Sequence, residues 1–187
     1  IITIAGCNSH RALNPLSLSQ STSTITPTNT LVLPAGTDTP TPAPTVYGGN
    51  GFDRAYSGQQ TDDRGYIIAG ETTSYGAGNY DVYLIKTNEN GGIEWKKTFG
   101  GSNRDIGNSV TQTNDGGYII AGETESYGAG SYDVYLIKTD SNGNSMWTRV
   151  YGGSEEDRAG SIQQTDDGGY IIVGNTNSYR AGNYDIY

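Results

Sequence analysis

Three aspartates recur at one position of the chain, Asp53, Asp105 and Asp157, and three more at another, Asp81, Asp133 and Asp185. Tyr75, Tyr127 and Tyr179 each precede the second set by the same short interval. Carboxylates and phenols repeated in this way suit two kinds of chemistry. Hard oxygen ligands gather Ca²⁺, and a tyrosine face beside polar groups stacks on a sugar ring. The same residues also work with no ligand at all. Asp closes turns by accepting backbone N–H bonds, and Tyr packs between layers.

Acid–base pairs are scarcer. Glu71 and Glu123 repeat, but Asn175 takes their place in the third copy, and Glu155 and Glu156 occur once. Two carboxylates can hydrolyse a glycosidic bond. Such a site needs particular residues at one place, whereas a set of equivalents favours avidity or scaffolding over catalysis. The single His is His10 and the single Cys is Cys7, both ahead of the repeats. The repeats therefore hold neither a Ser-His-Asp or Cys-His nucleophile system nor the usual N/S ligands of zinc. Asp140-Ser141-Asn142-Gly143-Asn144 lacks the terminal bidentate Glu of a calcium loop and reads as a hairpin turn. Gly76-Ala77-Gly78 and Gly128-Ala129-Gly130 lead into strands and not helix N-termini, so they are not expected to hold a phosphate.

The elements that must position these residues are repeats. Gly65 to Thr87 and Gly117 to Thr139 agree at 21 of 23 positions, differing only at Thr73/Glu125 and Asn79/Ser131. Tyr47, Phe99 and Tyr151, each followed by Gly-Gly, set a period of 52 residues. The units are 47–98, 99–150 and a shorter 151–187. No unit carries helical periodicity. In the middle copy four short runs stand out: Asn108 to Thr113, Tyr118 to Glu123, Asp133 to Thr139 and Ser145 to Val150. Asn/Asp-Gly turns separate them where positive φ is needed. YIIAG and VYLI are continuous apolar runs, as strands covered on both faces must be. Four antiparallel strands per unit at this period predict an all-β fold, a partial β-propeller of four-stranded blades. Connections at one end of each blade would gather the six aspartates and the three tyrosines.

DVYLIKTDSNGNSMWTRVYGG and DVYLIKTNENGGIEWKKTFGG resemble the outer half of a quinoprotein-type propeller repeat, in which an Asp/Asn-Gly turn leads to a Trp. The repeats are also similar to tandem propeller repeats of bacterial and archaeal surface proteins and lipoproteins without known enzymatic activity. Kelch propellers, whose Gly pair follows the second strand instead of preceding it, rank behind. The resemblance implies that Trp95 and Trp147 dock against the adjacent blade. The vicinal Cys pair of quinone-dependent dehydrogenases is missing from these residues.

Ile4-Ala5-Gly6-Cys7 resembles a bacterial lipobox, which implies that residues 1–7 end a signal peptide and that Cys7 carries a lipid. All six Pro lie between Pro15 and Pro44, and all 15 Tyr from Tyr47 onward. The Ser/Thr/Pro-rich 8–46 cannot bury enough apolar surface to fold and is expected to be a disordered linker or stalk. The chain does not begin with Met and stops inside its third copy, so a longer gene product is expected.

Net charge is −9, which disfavours nucleic acid and anionic membrane surfaces as partners. The membrane is expected to be reached through the lipid alone. These readings converge on a non-catalytic module at the cell envelope, on the outer surface or in the periplasm, with a protein or polysaccharide partner. No cofactor is expected, Ca²⁺ being the ion that the carboxylates would suit. The alternatives are a polysaccharide-binding propeller and an extracellular glycoside hydrolase or quinoprotein whose catalytic blades lie elsewhere.

Overall fold

Every segment that alternates between two buried faces becomes a strand, and every Asn/Asp-Gly cluster becomes a turn. A computed structural model describes residues 45–179 and 185–186. Cys7, nearly all of the 8–46 stretch and residues 180–184 lie outside the described residues, and Asp185 is described by its strand position alone. Eleven strands are present among the described residues, without a helix. They are β1 (Asp53–Gln60), β2 (Tyr66–Thr72), β3 (Asp81–Thr87), β4 (Ile93–Phe99), β5 (Asp105–Gln112), β6 (Tyr118–Thr124), β7 (Asp133–Thr139), β8 (Ser145–Tyr151), β9 (Asp157–Gln164), β10 (Tyr170–Thr176) and β11 (Asp185–Ile186).

The strands form three antiparallel sheets in sequence order, β1-β2-β3-β4, β5-β6-β7-β8 and β9-β10-β11, within one compact unit, Tyr47–Tyr187. The third and second strands of each four-stranded sheet agree closely with the sequence reading. The first strand differs. It begins at Asp105 and not Asn108, because a β-bulge between Gly107 and Ser109 absorbs one extra residue and lets pairing with β6 continue to Thr124. The same bulge lies between Ala55 and Ser57 in the first sheet. Opposite it, a Cβ on Gly122 would collide with the Ile106 carbonyl oxygen, so only glycine lets the bulge close down on β6.

The sheets stack face to face. Ile67, Ala69, Val82 and Leu84 of the first sheet meet Val110, Tyr118, Ile120, Tyr135 and Ile137 of the second. The alternate residues of β6 and β7, Ile119, Ala121, Val134 and Leu136, face Ala159 and Ile162 of the third. This two-sided burial is why YIIAG and VYLI are apolar at every position. Trp95 meets the next sheet edge-on, 5.7 Å from the Tyr118 ring, and Trp147 does the same at 6.1 Å from Tyr170.

The first strands of the sheets lie side by side and are joined through side chains. Val110 N–H donates to Ser57 Oγ at 3.2 Å and Gln112 N–H to Gln59 Oε1 at 3.0 Å. One step on, Ile162 N–H donates to Ser109 Oγ at 3.3 Å, and Asn108 of the bulge donates to the Ala159 carbonyl at 2.9 Å. Gln112 and Gln164 accept the backbone N–H of Asp62 and Asn114 from the preceding sheet at 2.9 and 2.8 Å.

Candidate functional site

Antiparallel pairing brings both sets of loops to one end. Asp105 at the start of β5 pairs with Thr124 at the end of β6, and Thr124 pairs with Asp133 at the start of β7. Asp53, Thr72 and Asp81 stand in the same relation in the first sheet. Asp157, Thr176 and Asp185 repeat it in the third.

Each aspartate of the first set ties two loops together. Asp105 accepts the hydroxyl of Thr124 on Oδ1, and on Oδ2 it accepts Ser126 Oγ–H at 2.7 Å and Gly101 N–H at 2.8 Å. Thr124 Oγ1 in turn accepts Ser126 N–H at 3.0 Å. Asp53 receives Thr72, Ser74 at 2.7 Å and Gly49 at 2.8 Å. Asp157 receives Thr176, Ser178 at 2.6 Å and Gly153 at 2.8 Å. Burial pushes the Asp53 and Asp157 carboxyls up, but these hydroxyl and N–H donors outweigh it and hold both below the ordinary aspartate value.

Asp81 and Asp133 of the second set are buried between sheets as well. Asp81 is 1% exposed and accepts Gly78 N–H at 3.1 Å; Asp133 accepts Gly130 N–H at 3.0 Å. A Cβ on Gly100 would touch both Asp81 Oδ1 and Asp105 Oδ2, so the two carboxylates face each other across that glycine. Gly152 separates Asp133 from Asp157 in the same way, which explains the first Gly of these two Gly-Gly pairs; Gly48, the first Gly of the earliest pair, closes on Asp53 alone. Burial raises the Asp81 pKa, partly offset by the Gly78 and Ala77 N–H groups, and the neighbouring Asp105 adds to the rise. Among the described residues no cluster of three or more His, Cys, Asp or Glu is gathered in metal-binding geometry.

The tyrosines pack over these loops. Tyr75, Tyr127 and Tyr179 donate their hydroxyls to the carbonyls of Gly48, Gly100 and Gly152 at 2.9, 2.8 and 3.0 Å. Tyr127 leans on Tyr135, centroids 5.7 Å apart and planes at 49°, and Tyr75 leans on Tyr83 at 5.5 Å. Burial pushes the Tyr83 hydroxyl up to about 12, and it raises Tyr135 as well. A groove of about 540 Å³ opens beside Tyr127, between the first and second sheets.

The partners of Glu71 and Glu123, and the role of Lys86 and Lys138, escaped the sequence reading. Glu71 is fully buried, accepting Arg54 Nη1 at 3.0 Å, both Nε and Nη2 of Arg104 from the next sheet, and the Tyr56 hydroxyl at 2.6 Å. At the next junction Glu156 stands where Arg104 does. Glu123 meets Arg158 at 3.4 Å instead, and its burial raises its pKa against the pull of Arg158 and Arg104. Lys86 and Lys138, each 3% exposed, reach Asp63 and Asp115 at the opposite end of the sheets at 2.7 and 2.9 Å. The signal for the Thr and Ser donors was present in the recurring Thr-x-Ser-Tyr. A lysine inside a buried strand carries no such mark, since only its reach to a turn carboxylate makes it tolerable.

No family model matches the chain, and no curated protein is significantly similar to it.

Proposed function

We propose that the chain is part of a non-catalytic β-propeller, held at the cell envelope by a lipid on Cys7, whose repeated loop end acts as a binding or structural module. The observation that carries this reading is the open face of the third sheet. Ile119 and Ala121 are fully buried under the following sheet, whereas their equivalents Ile171 and Val173 are 54% and 53% exposed. A further sheet of the same repeat would cover both, at about 1.5–3 kcal/mol per side chain. The lateral ladder through β1, β5 and β9 supports the same arrangement, because the innermost strands of propeller blades line up around an axis. Gln60 occupies the position from which Gln112 and Gln164 accept a preceding sheet.

Binding is favoured over catalysis by what the aspartates do. Each carboxylate of the first set is engaged in holding loops, and near-identical loops offer repeated contacts to a protein or polysaccharide at the cell surface. Adding copies of 99–150 to the chain tests the architecture. The melting temperature should rise and unfolding should sharpen with each copy until the ring closes; a melting temperature indifferent to copy number overturns the propeller. Labelled fatty acid should enter the protein in a bacterial host and be lost in Cys7→Ala. Hydrolysis of glycosides or quinone-dependent oxidation by the full-length gene product would overturn the non-catalytic assignment.

A further inference from the structure

We propose that the groove between the first and second sheets is a subsite for a neutral pyranose ring, with the face of Tyr127 as its platform. The inference rests on the binding-module reading and names the class of ligand. The groove, about 540 Å³, is lined by Thr98, Phe99, Tyr127, Tyr135, Thr148 and Val150. Tyr127 is 43% exposed, yet its ring is fixed by the bond to Gly100 and by Tyr135 behind it. A ring already held in place loses little freedom when a ligand stacks on it. Thr98 and Thr148 add hydroxyls, each able to donate and accept, while Phe99 and Val150 supply apolar wall. These lining residues carry no formal charge, and the chain as a whole carries −9. The combination fits a sugar with an apolar C–H face and hydroxyl edges, and it repels uronic or phosphorylated glycans. A proline ring would stack as well but has no hydroxyls to meet the two threonines.

The first repeat supplies a built-in contrast. Lys96 stands where Thr148 stands, and its Nζ lies 3.7 Å from the centroid of the Tyr75 ring, covering that face. Two units that agree at 21 of 23 positions around the tyrosine thus differ at the residue that covers it or leaves it open. Replacing a long cation by a short hydroxyl both clears the stacking face and adds a hydrogen-bonding group.

The test is calorimetric titration of the full chain with neutral hexaoses of α- and β-linked glucose, mannose and N-acetylglucosamine, alongside a proline-rich peptide. At least one hexaose should bind. Thr148→Lys should weaken it about tenfold or more, the loss of one aromatic stacking contact. That variant should leave the melting temperature unchanged, because lysine already occupies the equivalent site of the first repeat. Lys96→Thr should raise the stoichiometry. Failure of every hexaose to bind, or binding indifferent to Thr148→Lys, overturns the subsite. Peptide binding that is sensitive to Thr148→Lys, with no sugar bound, assigns the groove to a peptide and overturns the sugar. None of these results bears on the propeller, which the repeat-addition experiment judges separately.

Discussion

At the scale of single residues, the loop end is organised by carboxylates that accept more than they expose. Asp105 receives three donors while fully buried, so Asp105→Ala should lower stability by about 3 kcal/mol, as expected when charged hydrogen bonds are lost and buried donors are stranded. Chemical denaturation would measure it. The opposite end carries the larger carboxyl shifts. Hydrogen bonds from Lys86 and Lys138 hold Asp63 and Asp115 down to about 2, below the ordinary 3.8. A depressed carboxyl contributes stability that is complete above its unfolded value and disappears as pH falls through its folded one. Stability should therefore fall between pH of about 4 and about 2, and Asp115→Asn should flatten the fall in acid titration monitored by circular dichroism. The recurring Asp and Tyr were legible in the sequence, and so was turn closure as one of their uses. The partners were not: Glu71 meets Arg104 across 33 positions, and a contact between sheets leaves no local pattern.

At the scale of elements, the strands were legible because burial on both faces writes the unbroken apolar runs Tyr118–Ala121 and Val134–Ile137 into β6 and β7. The early start of β5 was not. Its first residues, Asp105-Ile106-Gly107, precede the bulge, and a bulge is a backbone event that alternation does not record. The turns between first and second strands offer a natural mutational series. Gly116 and Gly168 adopt φ of 78° and 84°, while Arg64 at the same position adopts φ of 69°. A side chain in that left-handed region costs about 1 kcal/mol. The exposed Arg64–Glu89 pair at 3.2 Å offsets little of it. Arg64→Gly should thus raise the stability of the first sheet by about 1 kcal/mol in thermal or denaturant melts.

At the scale of the whole molecule, the three sheets are unequal although their sequences are nearly equal. The second is covered on both sides, while Ile171 and Val173 of the third face solvent. Local opening follows burial, so amide exchange should be slowest in β6 and β7 and faster in β10, the counterpart of β6 in the third sheet; protection that is uniform across the sheets would contradict this. The period of 52 residues and the stacking of units were the most legible features, since they are repetitions of whole words. The lateral ladder was hidden, because Ser, Asn and Gln in β1, β5 and β9 resemble an ordinary solvated surface until the neighbouring sheet is in place. That ladder has an evolutionary corollary. Each glutamine clasps whichever unit precedes it through the same backbone atom, so misaligned crossover in the gene can delete or duplicate one unit in frame and regenerate a working junction. The number of units is then a quantity that inheritance can adjust in single steps, without inventing a new way for them to fit.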